Sequence, residues 1–345
     1  MKTRALSFLF IFLLLSSTVS AFTPPSWFKN GTYVTYAILP GRGRYKGYPN
    51  IIFYLPGKFS QENLNALITA LENSSKACQK IIPEIKNPNY THYLTGLTIY
   101  GPVFVTFNIT NVTNSTATII VTLRMANASL TPYCFIPTLT LHGALFLNLT
   151  DGYYYVNGTR IGRPSFFVLP YSLPSGGDEL YRASILRKYG FIIGGDLTVR
   201  NVSFTKNRLV HTFVKTFYPP LIKVKSNRQL ILHQKEGYLS MSICIDSIYD
   251  LGTGIAVGMS FPYPELYALG MVGGNDFNHY SAELNDKIDF SKEFWPYGFV
   301  LYKTNIKFPK EETGRAPDTV LKYYLVLGLL LLAIAGVLRF REVRK

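Results

Sequence analysis

Residues 103–125 read VFVTFNITNVTNSTATIIVTLRM, and this stretch predicts the fold of the chain. Apolar side chains recur at every second position on both sides of a polar centre at residues 111–116. Because successive side chains of a strand point to opposite faces, the pattern is typical of a β-hairpin with one buried face. The expected buried positions are Val103, Val105, Phe107, Ile109, Ile119, Val121, Leu123 and Met125.

Similar strand patterns recur along most of the chain, separated by turns rich in Gly, Asn and Asp. They predict strands at residues 31–38, 51–55, 139–147, 153–156, 191–204, 209–217, 238–249 and 254–261. The expected fold is therefore mainly β: an antiparallel curved sheet, half-barrel or sandwich with at least one packed helix and a C-terminal transmembrane helix.

One helix is predicted to begin after Ser60, whose side chain can accept a hydrogen bond from the first turn. An apolar stripe at helical spacing follows it, and this stripe is expected to pack on the sheet. Its members are Leu64, Ile68, Leu71, Cys78 and Ile82.

Apolar segments at both ends predict export and anchoring. Lys2 and Arg4 precede an apolar run that ends in small residues, which is typical of a signal peptide. About 20 apolar residues suffice to cross a bilayer, and the C-terminal run is of that kind. The predicted domains are a signal peptide at 1–21, a β-rich extracellular domain at 22–309, a stalk at 310–319, a transmembrane helix at 320–338 and a cytoplasmic tail at 339–345. The chain is thus expected in the cell membrane as a single-pass type I protein with its ectodomain outside.

Sequons for N-glycosylation are dense in the predicted ectodomain. Because the modification attaches a bulky sugar, such residues are expected on the surface. The predicted sites are Asn30, Asn73, Asn89, Asn108, Asn111, Asn114, Asn127, Asn148, Asn157 and Asn201.

Composition supports a folded, basic protein. Hydrophobic residues make up 48% of the chain and aromatic residues 15%, which is ample for a core. The formal net charge is +15, but the basic residues are scattered and no nucleic-acid-binding motif accompanies them. We therefore expect no nucleic-acid partner. The scarcity of carboxylates suits an acidic exterior, where Asp and Glu lose their charge.

The cysteines Cys78, Cys134 and Cys244 allow at most one disulfide within the chain. Cys78 shares the apolar stripe of the predicted helix and is expected to be a small buried residue. Cys134 follows a proline-containing turn and Cys244 lies on a predicted strand. These two are the candidate disulfide pair.

Catalytic signals are weak. The sequence contains no GxSxG, HExxH, P-loop or CxxC pattern, and no two histidines stand at metal-ligand spacing. Two carboxylate pairs, Asp178 with Glu179 and Asp246 with Asp250, could support glycoside hydrolysis if their carboxyl groups lay about 5 Å apart. A helix N-cap at Asp178 and a turn at Asp250 are the simpler interpretations. No catalytic residue, cofactor or metal is predicted.

A seven-residue motif carries a resemblance. Residues 249–255, YDLGTGI, follow one predicted strand and open another, and they resemble a hairpin of lipoprotein-carrier-like half-barrels. That resemblance implies a curved sheet with an apolar concave face. The arrangement of signal, sequons and anchor resembles uncharacterised single-pass surface glycoproteins of thermoacidophilic archaea.

The functional prediction is a non-enzymatic binding or envelope/scaffold component, anchored in the membrane, with an apolar ligand or a surface protein as partner. Two alternatives remain open: an accessory subunit of a membrane transporter or respiratory complex, and an acid-active surface hydrolase.

Overall fold

The computed structural model describes residues 22–56, 60–87, 94–233, 239–277, 289, 291–294 and 298–308. The described residues up to Ile306 form one compact unit, and residues 307 and 308 belong to a second unit. The predicted signal peptide, stalk, transmembrane helix and tail lie outside the described residues. Within those ranges, no helix combines the length and the apolar character needed to cross a membrane.

The described residues form twenty strands and four α-helices. The first ten strands are β1 Tyr33–Ile38, β2 Ile51–Pro56, β3 Leu94–Ile99, β4 Val103–Thr110, β5 Thr116–Thr131, β6 Cys134–Asn148, β7 Tyr153–Val156, β8 Thr159–Gly162, β9 Glu179–Tyr181 and β10 Ile192–Ile193. The others are β11 Leu197–Thr205, β12 Val210–His211, β13 Thr216–Phe217, β14 Leu221–Ser226, β15 Gln229–His233, β16 Leu239–Ile243, β17 Asp246–Asp250, β18 Ala256–Met259, β19 Gly273–Asp276 and β20 Phe299–Thr304. The helices are α1 Gln61–Glu72, α2 Lys76–Gln79, α3 Ile82–Lys86 and α4 Tyr263–Ala268.

Twelve strands close into a ring in the order β5-β4-β1-β20-β18-β17-β14-β11-β9-β8-β7-β6, because β6 pairs again with β5. Strands β3, β2 and β19 extend the sheet from the far end of β5. The predicted mainly β, antiparallel fold with a packed helix is confirmed. The sequence predicted a curved sheet, half-barrel or sandwich, and the structure has a closed ring of strands. The long pairing of β5 with β6 joins its two ends.

The hairpin predicted from residues 103–125 is present as β4 and β5. Phe107 lies opposite Val121, and all eight side chains expected to be buried are fully shielded from solvent. Burial of one face fixes the register, because a slip of one residue would exchange the two faces.

Helix α1 begins where predicted, and the Ser60 hydroxyl accepts a hydrogen bond from the Asn63 backbone N–H at 3.2 Å. Leu67, Ile68 and Leu71 are buried in its contact with β6. The predicted single helix ends at Glu72, and the later part of the stripe lies on α2 and α3. The break falls at residues 73–75, Asn-Ser-Ser, whose short polar side chains compete with the helix for backbone hydrogen bonds.

Asn63 links α1 to the ring. Its Nδ2 donates to the His142 carbonyl at 2.8 Å, and its Oδ1 accepts from the His142 N–H at 2.8 Å. Asn63 is fully buried. We expect Asn63→Ala to lower the free energy of unfolding by about 1–3 kcal/mol, because the backbone N–H and carbonyl of His142 would lose their hydrogen-bond partner.

Urea unfolding would measure this loss. Asn65→Ala is the matched control, because Asn65 is exposed on the same helix and accepts a hydrogen bond from the Gln61 side chain. Its effect should stay within about 0.5 kcal/mol. Equal losses in the two variants would show that the bridge to His142 does not stabilise the fold.

The predicted Cys134–Cys244 disulfide is wrong. Cys78 is bonded to Cys134, and Cys244 is free and half-buried. The turn after α1 brings α2 against β6, so that Cys78 faces the first residue of β6. Cys78 is buried as expected, but as a disulfide partner.

Two chain segments fill the inside of the ring. In the segment after β8, Phe166 stacks on Phe107 of β4 with ring centroids 4.8 Å apart. The second segment is α4, whose Tyr263 stacks on Tyr181 of β9 at 5.7 Å. Helix α4 also approaches β6 so closely that a Cβ at Gly143 would lie 2.6 Å from the Ala268 carbonyl oxygen. Glycine is therefore required at that position.

Candidate functional site

Two features of the ring could serve a function: a buried polar network inside it and an exposed surface outside it. The network centres on Glu265 of α4, which is fully buried. Its Oε1 accepts hydrogen bonds from the Ser165 N–H at 2.9 Å and the Tyr154 hydroxyl at 3.2 Å. The Ser165 hydroxyl lies 2.8 Å from Oε2. One carboxyl group thus joins the two inner segments to strand β7.

Two further tyrosines hold the same inner segment. The Tyr249 hydroxyl of β17 donates to the Ser165 carbonyl at 3.1 Å, and the Tyr36 hydroxyl of β1 donates to the Phe166 carbonyl at 3.2 Å. All these groups are buried, and buried polar groups are costly unless they are paired. The network therefore positions the inner segments against three widely separated strands.

Burial is the largest influence on the pKa values of the ionisable groups in this network. Burial raises the pKa of Glu265 from 4.5 to about 7, although the hydrogen bonds from Ser165 and Tyr154 oppose that change. Burial also raises the pKa of Tyr36 and Tyr154 well above the usual range. The network is therefore uncharged under mildly acidic conditions.

One cavity among the described residues is small. A cavity of about 30 Å³ lies next to Phe22, Arg163, Phe167, Leu180 and Tyr249. Ligand sites for small molecules measure about 300–1,000 Å³, so this cavity has room for one or two water molecules and not for an acyl chain. A larger depression, of about 420 Å³, lies between α1 and β6 and is lined in part by Asn73.

The exposed surface, which we call the outer face, is the outward side of five neighbouring strands: β6, β5, β4, β1 and β20. These strands contain no Asp or Glu, and their charged residues are Arg124 and Lys303. A row of polar side chains crosses four of them. The Thr35 and Thr106 hydroxyls lie 2.9 Å apart, and the Thr122 hydroxyl lies 3.2 Å from His142 Nδ1.

Three aromatic side chains, the aromatic cluster, border this row. Tyr302 of β20 lies between Phe104 of β4 and Phe213 of the loop joining β12 to β13, with ring centroids 5.0 and 5.2 Å away. The Phe213 N–H donates to the Leu301 carbonyl at 3.1 Å, which ties the loop to β20. Phe213 and Tyr302 are 47% and 37% exposed. Clustered exposed aromatic residues often mark interaction surfaces.

The sequon asparagines lie on the surface, as expected. Asn108, Asn111 and Asn114 are exposed on the outward side of the hairpin and in its turn. Also exposed are Asn30, Asn73, Asn127, Asn157 and Asn201, whereas Asn148 is half-buried. Asn89 lies outside the described residues. Their modification remains a prediction.

The carboxylate pairs are held by local cations or turns. Glu179 accepts from Arg160 Nε at 3.0 Å, and Asp178 lies 3.3 Å from Arg163. The predicted helix N-cap at Asp178 is wrong, because the next residues form β9.

Asp246 lies 3.4 Å from both Lys223 and Lys225. Asp250 accepts from the Thr253 N–H at 2.8 Å and caps the turn of the YDLGTGI motif. Among the described residues, no three His, Cys, Asp or Glu side chains form a group that could hold a metal.

The described histidines are dispersed. His142 is in the polar row, His211 lies 3.6 Å from Glu293, and His233 packs on Phe191 with ring centroids 4.9 Å apart. His92 and His279 lie outside the described residues.

Comparisons with protein-family models, with curated proteins and with solved structures find no significant match to this chain. The resemblances drawn from the YDLGTGI motif and from the arrangement of signal, sequons and anchor therefore remain expectations.

Sequence reasoning missed Glu265 and the aromatic cluster. A signal for Glu265 was present, because it is the sole charged residue in the apolar stretch 261–271, FPYPELYALGM. A lone carboxylate among apolar residues indicates a buried, hydrogen-bonded group. The aromatic cluster carries no comparable signal, since its members are more than 80 residues apart along the chain.

Proposed function

We propose that this chain is a membrane-anchored extracellular glycoprotein that acts as a non-enzymatic binding or envelope/scaffold component, with the outer face as its binding surface. The distribution of asparagines carries the proposal. Every described sequon asparagine is at least partly exposed, whereas the buried Asn50 and Asn63 belong to no sequon. This separation is what a glycosylated ectodomain requires, because a sugar cannot be accommodated in the core.

The closed sheet supports a scaffold role. Its interior is occupied by Phe166, α4 and the Glu265 network, so the side chains inside the ring are fixed by packing and hydrogen bonds. A rigid support allows exposed groups on its outer side to be held in place for a partner. A surface partner is therefore favoured over an apolar ligand inside the ring.

The alternative of an accessory subunit is supported by the aromatic cluster, because aromatic residues are enriched at protein interfaces. The carboxylates of the hydrolase alternative contact local cations or turn residues, which favours a structural role for them. We do not carry that alternative further.

The proposal is tested by expressing the full-length chain and a form truncated after Lys310 in a host that performs N-glycosylation. We expect the full-length chain to stay in the membrane pellet after a carbonate wash, and the truncated chain to be secreted. Both forms should lose mass on deglycosylation, because the sequons lie before the truncation point.

Single Asn108→Gln, Asn111→Gln and Asn114→Gln variants should each remove the mass of one glycan. Asn207→Gln is the control, because Asn207 is exposed and belongs to no sequon. A truncated chain that still sediments with membranes would contradict the anchor. No loss of mass on deglycosylation would contradict the glycoprotein proposal, and unchanged masses in all three sequon variants would show that these three asparagines carry no glycan.

A further inference from the structure

We propose that the outer face binds an acidic glycan chain, with sugar rings stacked on the aromatic cluster and an anionic group paired with Arg124. The inference rests on the proposed function, because it names the partner class of the same surface. Its four supports are the exposed rings, the polar row, the charge of the face and the position of the sequon at Asn108.

The rings have a suitable chemistry for sugars. A pyranose presents C–H groups on one face, and these pack well on the flat, electron-rich face of an aromatic ring. Phe104, Tyr302 and Phe213 form a continuous series with ring centroids about 5 Å apart, which is similar to the size of a sugar ring. A series of this kind can hold successive sugars of one chain.

The polar row supplies hydrogen bonds beside the rings. On β4, Thr106 follows Phe104 by two residues and so shares its face. Thr35, Thr122 and His142 continue the row across adjacent strands. Hydroxyl groups both donate and accept, so the row matches the hydroxyls of a carbohydrate.

Charge selects an acidic chain over a neutral one. Arg124 lies directly opposite Phe104 in the register of β4 with β5, and it is exposed. Lys303 of β20 lies opposite Thr35 in the register of β1 with β20, and the five strands contain no carboxylate that would repel an anion. A guanidinium can bind a carboxylate or sulfate through two parallel hydrogen bonds.

The sequon at Asn108 lies on the outer face but away from the aromatic cluster. Asn108 is four residues from Phe104 along β4, which corresponds to about 13 Å at the usual rise per residue. A glycan at Asn108 would therefore border the aromatic cluster while leaving its rings open to a second chain.

The test uses the purified, glycosylated full-length chain in detergent and two probes: a hexamer of galacturonic acid and a neutral glucose hexamer. We expect the acidic hexamer to bind, more weakly as salt is added, and to bind more tightly than the neutral hexamer. Tyr302→Ala and Arg124→Gln should each weaken its binding by about tenfold or more.

Tyr171→Ala and Lys206→Gln are matched controls, because both residues are exposed and neither lies on the outer face. They should leave binding unchanged. Thermal unfolding of every variant shows that the fold is retained. The inference is overturned if neither probe binds, if the neutral hexamer binds equally well, or if the controls weaken binding as much as the outer-face variants. Such results would leave the carbonate and deglycosylation tests of the proposed function unaffected, so the two failures are distinguishable.

Discussion

Replacing Cys78 and Cys134 by serine should lower the free energy of unfolding by about 4 kcal/mol. The disulfide joins residues 56 positions apart, and the chain-entropy model gives about that cost for reopening a loop of this length. The bond also connects α2 to the start of β6, so its loss should loosen the helical segment before the ring unfolds. Urea unfolding of the truncated, secreted ectodomain measures the change.

Cys244→Ser is the control, because Cys244 is free and half-buried. Its effect on stability should be small. Peptide mapping without reduction should recover Cys78 linked to Cys134. Recovery of a Cys134–Cys244 peptide, or a large loss in Cys244→Ser with none in the double variant, would contradict the pairing.

Local sequence patterns predict those structural features that depend on residues close together along the chain. The β4–β5 hairpin and its buried face follow from alternation alone, because side chains two positions apart share one environment. The start of α1 follows from one capping residue, Ser60. Its early end was missed because the apolar spacing continues across the Asn-Ser-Ser break.

The sequence did not show which strands pair when they are far apart along the chain. Several ring strands are short, and β8 and β9 contain four and three residues, too few for a periodic signal. The predicted strand at residues 191–204 is two strands in different sheets, β10 and β11. Closure of the ring depends on pairing between short strands of this kind. The alternation of apolar and polar residues could therefore predict a curved sheet without predicting whether it closes.

The same limit applies to the candidate site. The outer face could be anticipated in part, since the positions of Thr106 and Thr122 follow from the hairpin register. The aromatic cluster needs β20 and the loop containing Phe213 to lie beside β4, which local patterns do not indicate. The disulfide was missed for a similar reason, because the fold of residues 73–75 determines which cysteine faces Cys134.

Stability should fall by about 3 kcal/mol between pH 4.5 and pH 7 because of Glu265 alone. In the folded protein, burial raises the pKa of this carboxyl from 4.5 to about 7, so between these values the folded state keeps a proton that the unfolded state releases. The free energy of unfolding then decreases by about 1.4 kcal/mol per pH unit. The contribution is fully present below pH 4.5 and is lost as pH rises to about 7.

Glu265→Gln should remove this pH dependence, because its amide is neutral throughout and can donate to the Ser165 hydroxyl as a protonated carboxyl does. The measurement is the difference in unfolding free energy between the unsubstituted ectodomain and the variant, taken at several pH values. That difference cancels the contributions of other titrating groups. Glu84→Gln is the control, because Glu84 is exposed.

The groups facing Glu265 are Ser165 and the hydroxyls of Tyr36, Tyr154 and Tyr249. Burial raises the pKa of all three tyrosines above the usual range, so none of them titrates between pH 4.5 and pH 7. The change of unfolding free energy with pH can therefore be assigned to the Glu265 carboxyl.

The difference in unfolding free energy between the unsubstituted ectodomain and Glu265→Gln could instead stay constant across this pH range. That result would show that Glu265 is ionised in the folded state. The inner segments would then be held by a buried charge and not by a neutral network. A falling difference would show that the network inside the ring is most stable in acid, where a chain with few surface carboxylates keeps its net charge.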